Sequence, residues 1–248
     1  MTLISALLLF AAGLVSGIVN AIAGGGTFLT FGAMTLAGLP PISANATSSI
    51  VQFPGYITSA LAYRDMIAKE WKALAVLAVV SLAGSLGGAL FLLSLSNPSF
   101  KSLVPWLLLV ATALFAAGPK LKPKVSGEHP PHSPAGIFMQ FVTSIYGGFF
   151  GAGMGIMMLA SLGLATGGDY HRLNAIKNLL SIVIALVAIL VFTAGGAINW
   201  LYGIVMLPGA GLGGYLGVYV AKRVPQAWLR YAVIAVGLFL AVYYFSKR

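Results

Sequence analysis

The chain has 248 residues, of which 59% are hydrophobic and only 7% charged, with a mean hydropathy of +0.97. Soluble domains carry roughly a quarter charged residues, so this composition excludes an ordinary water-soluble fold and predicts an all-α integral membrane protein. Fourteen Lys and Arg against four Asp and Glu leave a formal charge of +10; the basic residues stand between apolar runs, as in topology-setting loops, and no nucleic-acid partner is expected.

From Met1 to Tyr63 no charged side chain interrupts the chain. Leu3 to Val19 has the apolar run of a signal peptide but lacks the basic stretch that precedes one, and reads as a helix over about 2–22. Gly24-Gly25-Gly26 breaks it. A short piece over 26–38 stops at Gly38-Leu39-Pro40-Pro41, and a third runs over 42–63 to the charged segment Arg64 to Lys72. A fourth covers 70–95 as far as Asn97-Pro98, and a fifth 99–118. Pro119 to Pro134, with Lys120, Lys122, Lys124, Glu128, His129 and His132, is a polar linker expected on the cytoplasmic side. Beyond it the pieces fall at 134–149, 154–166, 170–194, 198–221 and 226–245.

The two series are related. At a constant offset of 129 residues Ala23 matches Ala152, Gly24 Gly153, Gly26 Gly155, Gly38 Gly167, Asn45 Asn174, Ala46 Ala175, Trp71 Trp200, Gly84 Gly213 and Gly88 Gly217, without a gap. Self-similarity of this kind signals a duplicated architecture: a first transmembrane repeat over 1–118, the linker over 119–134 and a second repeat over 135–248. The second piece of each repeat is short for a bilayer core of about 30 Å, so with the first piece it is expected to form a re-entrant, glycine-broken pair. Three spanning helices per repeat remain, an odd number that inverts one repeat against the other. Arg64, Lys69 and Lys72 occupy a turn whose counterpart, Ala194 to Asn199, is uncharged, as inversion requires. With basic loops inside, Lys101, Lys247 and Arg248 fall on the outer side, against the rule.

Broken backbone inside a bilayer is tolerated where protein or a water-filled cavity satisfies it. The breaks Gly24-Gly25-Gly26-Thr27 and Ala152-Gly153-Met154-Gly155 each start a new helix, whose N–H groups and positive dipole end suit an anion. Close packing is the alternative use of such glycines, and it is the reading for Gly84, Gly88, Gly213 and Gly217. The third piece of each repeat opens on polar residues: Ser43, Asn45, Thr47, Ser48, Ser49 and Gln52 in one, Asn174, Lys177, Asn178 and Ser181 in the other. Capping accounts for Ser43 and for Asn45 equally well. Thr47, Ser48 and Gln52 lie deeper, where uncharged donors can replace the hydration shell of an oxyanion. Lys177 takes the slot of Ser48; an ionisable residue inside a span is a functional candidate, with snorkelling beside Arg172 as its alternative.

Asp65, Glu70, Glu128 and Asp169 fall in loops or at helix ends, which leaves no carboxylate relay for proton coupling and disfavours cation transport. No His-Glu-x-x-His, Gly-x-Ser-x-Gly or Walker sequence occurs, and there is no Cys, so neither catalysis nor a metal or other cofactor is expected.

The run Gly17-Ile18-Val19-Asn20-Ala21-Ile22-Ala23-Gly24-Gly25-Gly26-Thr27, then Gly38-Leu39-Pro40-Pro41 and Ala44-Asn45-Ala46-Thr47-Ser48, with a duplicated second half, resembles the TauE/SafE sulfite exporter family over essentially the whole chain. The resemblance implies a multi-pass permease of a bacterial-type inner membrane, carrying sulfite, sulfoacetate or another organosulfonate. Half two departs from half one where Ile176-Lys177-Asn178 replaces Thr47-Ser48-Ser49.

The expectation is an anion transporter, with partners limited to a small anion, the bilayer and further copies of itself. Its site would use Gly24, Gly25, Gly26, Thr27, Asn45, Thr47, Ser48, Gln52, Gly153, Gly155, Asn174, Lys177 and Asn178, exposed alternately by rocking of the two halves. The rival reading is a membrane scaffold in which glycines only pack helices and polar residues only cap them.

Overall fold

The structure is a computed structural model that describes residues 2–23, 25–69, 71–117, 133–166, 170–220 and 226–247. Most of the linker and Gly24 therefore lie outside the described residues. Helices account for nearly all of the rest: α1 Leu3–Ala23, α2 Gly26–Leu36, α3 Pro41–Ala62, α4 Arg64–Lys69, α5 Trp71–Ser94, α6 Asn97–Ala117, α7 Pro134–Phe149, α8 Met154–Thr166, α9 Tyr170–Ala194, α10 Trp200–Val220 and α11 Gln226–Ser246.

Local chemistry sets these limits. At the end of α2, Gly38 takes φ +94°, its N–H bonds Thr35 O, and Leu39 N reaches back to Met34 O, closing the helix in a Schellman motif before Pro40. Gly196, at φ +64°, ends α9 in the same way, with Ala197 N on Phe192 O. Ser133 caps α7 by accepting from Gly136 N at 3.1 Å, with Pro134 in the first turn. Asn199 caps α10 by accepting from Tyr202 N at 3.2 Å. One expected break is helical: Arg64–Lys69 forms α4, because Arg, Met, Ala and Lys are good helix formers and Asp65 sits favourably in the first turn.

Many large apolar side chains point outward, while polar side chains within the helices are buried beside an apolar core that includes Phe28, Phe31 and Phe100. Leu8, Val79, Phe138, Leu190 and Ile204 are exposed, whereas Ser16, Asn45, Ser48, Gln52, Ser85, Gln140 and Ser181 are buried. This inversion of the soluble pattern is what a hydrocarbon solvent selects. Leu3–Asn20, Leu74–Ser94 and Arg172–Ala194 are long and apolar enough to cross a membrane, by length and composition, among the described residues. The fold is that of an α-helical membrane protein.

Helix pairing crosses the linker. α1 packs along α10, and α5 along α7. Glycines carry both contacts: a Cβ on Gly13 or Gly17 would run into the carbonyls of Met206 or Ala210, and one on Gly84 or Gly88 into those of Phe141 or Ile145. Both pairs run parallel, since residue numbers rise together along each contact. The pairs α3–α9 and α6–α11 run antiparallel. Tyr63, just after α3, meets Asn174 near the start of α9, while Ser48 shares a cavity with Ala188. Trp106 stacks edge-on against Phe245 at 5.3 Å, and Thr112 lies against Gly237.

Candidate functional site

The second break is a tight turn between α7 and α8. Gly151 and Gly153 take φ +74° and +76°, where an L side chain would be strained, so the turn centres on Gly151, slightly earlier than Ala152 to Gly155. Tyr146 ties it from within by donating its hydroxyl to Ala152 O at 2.7 Å. From α3, Asn45 Nδ2 donates to Phe149 O at 2.9 Å. Phe149 and Phe150 meet Phe100 and Phe31 edge-on, at 5.7 and 5.5 Å respectively.

The first break is held against α1. Gly25 is the N-cap of α2 and offers no side chain to its N–H groups. Ser16 Oγ donates to Gly26 O at 2.8 Å, and a Cβ on Gly26 would meet Ser16 and Asn20. Gln52 of α3 donates to Ser16 Oγ at 2.6 Å, so α3 is fastened to the α1–α2 turn through one hydroxyl.

Between these two turns lies a cavity. Thr27 enters it from the first turn of α2, Gly151 from the turn before α8, Met154 from the start of α8, and Ser48, Ser49, Gln52 and Tyr56 from α3. Phe150, Ile184, Ala185 and Ala188 form an apolar wall. The volume open to the centre of a water-sized sphere is about 20 Å³, where a water needs roughly 10–15 Å³ on that measure. Thr27 is only 8% exposed, and its hydroxyl has no hydrogen-bond partner among the described residues. Ser48 gives its proton to Ala44 O at 2.9 Å.

The expected residues thus divide. Thr27, Ser48 and Gln52 share the cavity, with Gly25 and Gly26 behind Thr27. Asn45 and Gly153 shape the second break without lining the cavity. Thr47 is turned elsewhere: its Oγ1 accepts from Asn199 N at 2.9 Å, at the start of α10. Asn174 Nδ2 reaches Tyr63 Oη at 3.4 Å. Lys177 is half-buried with its stem beside Gly155, and Asn178 is buried on α9; neither lines the cavity. Tyr56, Gly151 and Ser16 went unnoticed in the sequence. Gly151 was readable from the glycine density of Gly147 to Gly155; Tyr56 and Ser16 carry no local signal.

Fold and cavity together define a multi-pass helical membrane protein with a small, uncharged, donor-bearing chamber at two helix starts. The family described as Sulfite exporter TauE/SafE matches residues 9–244, so the chain belongs to that family, and the resemblance carried by Gly17 to Thr27 and Ala44 to Ser48 holds over its length. Among curated relatives, a "Probable membrane transporter protein" of Haemophilus influenzae is 27% identical, covering 92% of this chain and 89% of the relative. "Probable membrane transporter protein ORF9" of Sinorhizobium sp is 30% identical over 88% and 82%. "Probable membrane transporter protein YfcA" of Escherichia coli K12 is 26% identical over 92% and 85%.

Proposed function

We propose that this chain is a membrane transporter of a small sulfur-containing anion, such as sulfite, sulfoacetate or another organosulfonate, working by alternating access around the cavity between the two breaks. The observation that carries the proposal is that Thr27 in the first turn of α2, Gly151 in the turn before α8 and Met154 at the start of α8 line one cavity with Ser48 and Gln52. Two helix N-termini and neutral donors in a water-poor space are suited to an oxyanion.

An inverted duplication is supported by the helix starts and by their directions. α3 and α9, α5 and α10, and α6 and α11 each begin 129 residues apart. The self-related pairs α3–α9 and α6–α11 run antiparallel, as an axis in the membrane plane demands. α2, at 11 residues, spans only about 17 Å, in keeping with an interrupted helix.

The cavity is too small for an oxyanion in this closed form, so its walls must part. The sequence halves are poor candidates for the moving bodies, because rocking them apart would tear α1 from α10 and α5 from α7, where backbones touch through glycine. The bodies that fit the contacts are α1–α2 with α10, and α7–α8 with α5, each drawn from both halves. Flux of sulfite and organosulfonates into proteoliposomes tests the function. Absence of flux, with no rise in thermal stability on adding any oxyanion, would leave the scaffold reading.

A further inference from the structure

We infer that the cavity selects by charge: it accepts a monovalent anion and turns away a dianion. The inference rests on the transport reading above and narrows its substrate class to hydrogensulfite and monovalent organosulfonates, removing sulfoacetate, whose sulfonate and carboxylate make it a dianion at neutral pH. Among the described residues no Lys, Arg, His, Asp or Glu lines the cavity. Its positive potential comes from the starts of α2 and α8, and each helix end is worth about half a unit charge, so the pair balances about one. A second negative charge would stay uncompensated among partly apolar walls, where burial of an unpaired charge is costly.

The donors point the same way. Thr27 is buried, lines the cavity and has a hydroxyl with no partner, a free donor that calls for an acceptor. Ser48 has committed its proton to Ala44 O and Gln52 one amide proton to Ser16, so the donors along the lining are Thr27, Ser49, Tyr56 and the second amide proton of Gln52, all of them neutral. The rest of the lining is apolar, with Phe150, Ile184, Ala185 and Ala188 among it. A symmetric dianion such as sulfate needs donors all round. Once the walls part, an anion with one charge, oxygens at one end and an apolar group at the other suits a chamber that combines neutral donors with the apolar Phe150, Ile184, Ala185 and Ala188. Lys177, whose stem lies beside Gly155, is not one of the residues that line the cavity.

Methanesulfonate and methylphosphonate share a shape, but the first stays monovalent while the second becomes divalent as pH rises through neutrality. Uptake of both into proteoliposomes bearing the full chain, with methanesulfonate as the anion of constant charge and sulfite measured beside them at mildly acidic pH, where it is the monoanion, separates charge from fit. The expected result is pH-independent methanesulfonate flux, and methylphosphonate flux at mildly acidic pH that falls about tenfold or more at mildly alkaline pH. Equal methylphosphonate flux at both pH values, with methanesulfonate carried, overturns charge selection and leaves transport standing. Failure of all three anions to cross or to stabilise the solubilised protein overturns the transport reading itself. Ser48→Lys adds a charge at the cavity and is expected to admit the dianion; the native-chain measurement decides the question if that variant does not fold.

Discussion

Asn45 and Phe149 stand 104 residues apart in sequence, and the side-chain amide of the first donates to the backbone carbonyl of the second at 2.9 Å. Through this bond a residue of the first half shapes the break of the second. Asn45→Ala leaves Phe149 O without its donor, and a buried acceptor without a partner costs about 1–3 kcal/mol. The expected outcome is a lower unfolding temperature in detergent together with reduced flux, whereas Asn45→Asp, which removes the donor and adds a buried charge, is expected to do worse on both. Wild-type stability in Asn45→Ala would dismiss the bond as a support of the break.

Glycines in the spans differ sharply in what they protect. A Cβ on Gly88 would strike Ile145 O and crowd Phe149 N, while one on the neighbouring Gly87 would meet open space. Gly88→Ala is therefore expected to destabilise by about 1–3 kcal/mol, read as a drop in unfolding temperature. Gly87→Ala should be neutral or slightly stabilising, since alanine is the better helix former. Similar losses from both substitutions would contradict the parallel α5–α7 contact.

The membrane class and helix limits were legible because they depend on local chemistry: the apolar runs, the Gly38 and Gly196 stops and the Ser133 and Asn199 caps are written in neighbouring residues. Thr27, Ser48 and Gln52 were legible because polar residues in apolar helices invite a reason. Thr47 looked equivalent to Ser48, but one residue turns a helix by about 100°, and that rotation sends Thr47 to Asn199 instead of the cavity. The exchange of α1 and α5 between halves was invisible, since periodic glycines announce close packing without naming the partner helix. The same silence hid Tyr56, whose neighbours in the cavity come from α8 and α9.

Lys177 is half-buried on α9, beside the second residue of α8 but outside the cavity lining. A charge in that place draws anions toward the site without holding them. Lys177→Gln is expected to raise the apparent KM for transport several-fold, by about 3 to 10 times, with maximal rate little changed. Lys177→Arg, which keeps the charge, should restore the KM, and added salt should weaken the native chain more than Lys177→Gln. Unchanged KM in Lys177→Gln would remove the residue from the pathway.

The motion can be read directly, because the chain contains no cysteine and any labelled pair stands alone. Leu7 on α1, Ile204 on α10 and Val79 on α5 are all exposed on the outer face and accept a spin label without entering the core. If α1–α2 moves with α10, the distance between labels at Leu7→Cys and Ile204→Cys should stay constant when a transported anion is added, although the two residues belong to different halves. The distance between Leu7→Cys and Val79→Cys, both in the first half, should shift or broaden as the bodies separate. Rocking of intact sequence halves demands the opposite pair of outcomes, a fixed Leu7–Val79 distance and a moving Leu7–Ile204 distance. Pulsed dipolar spectroscopy of the two double variants in lipid distinguishes them. The backbone contacts of Gly13 and Gly17 with Met206 and Ala210 favour the first, because separating them would give up the close packing that these glycines allow.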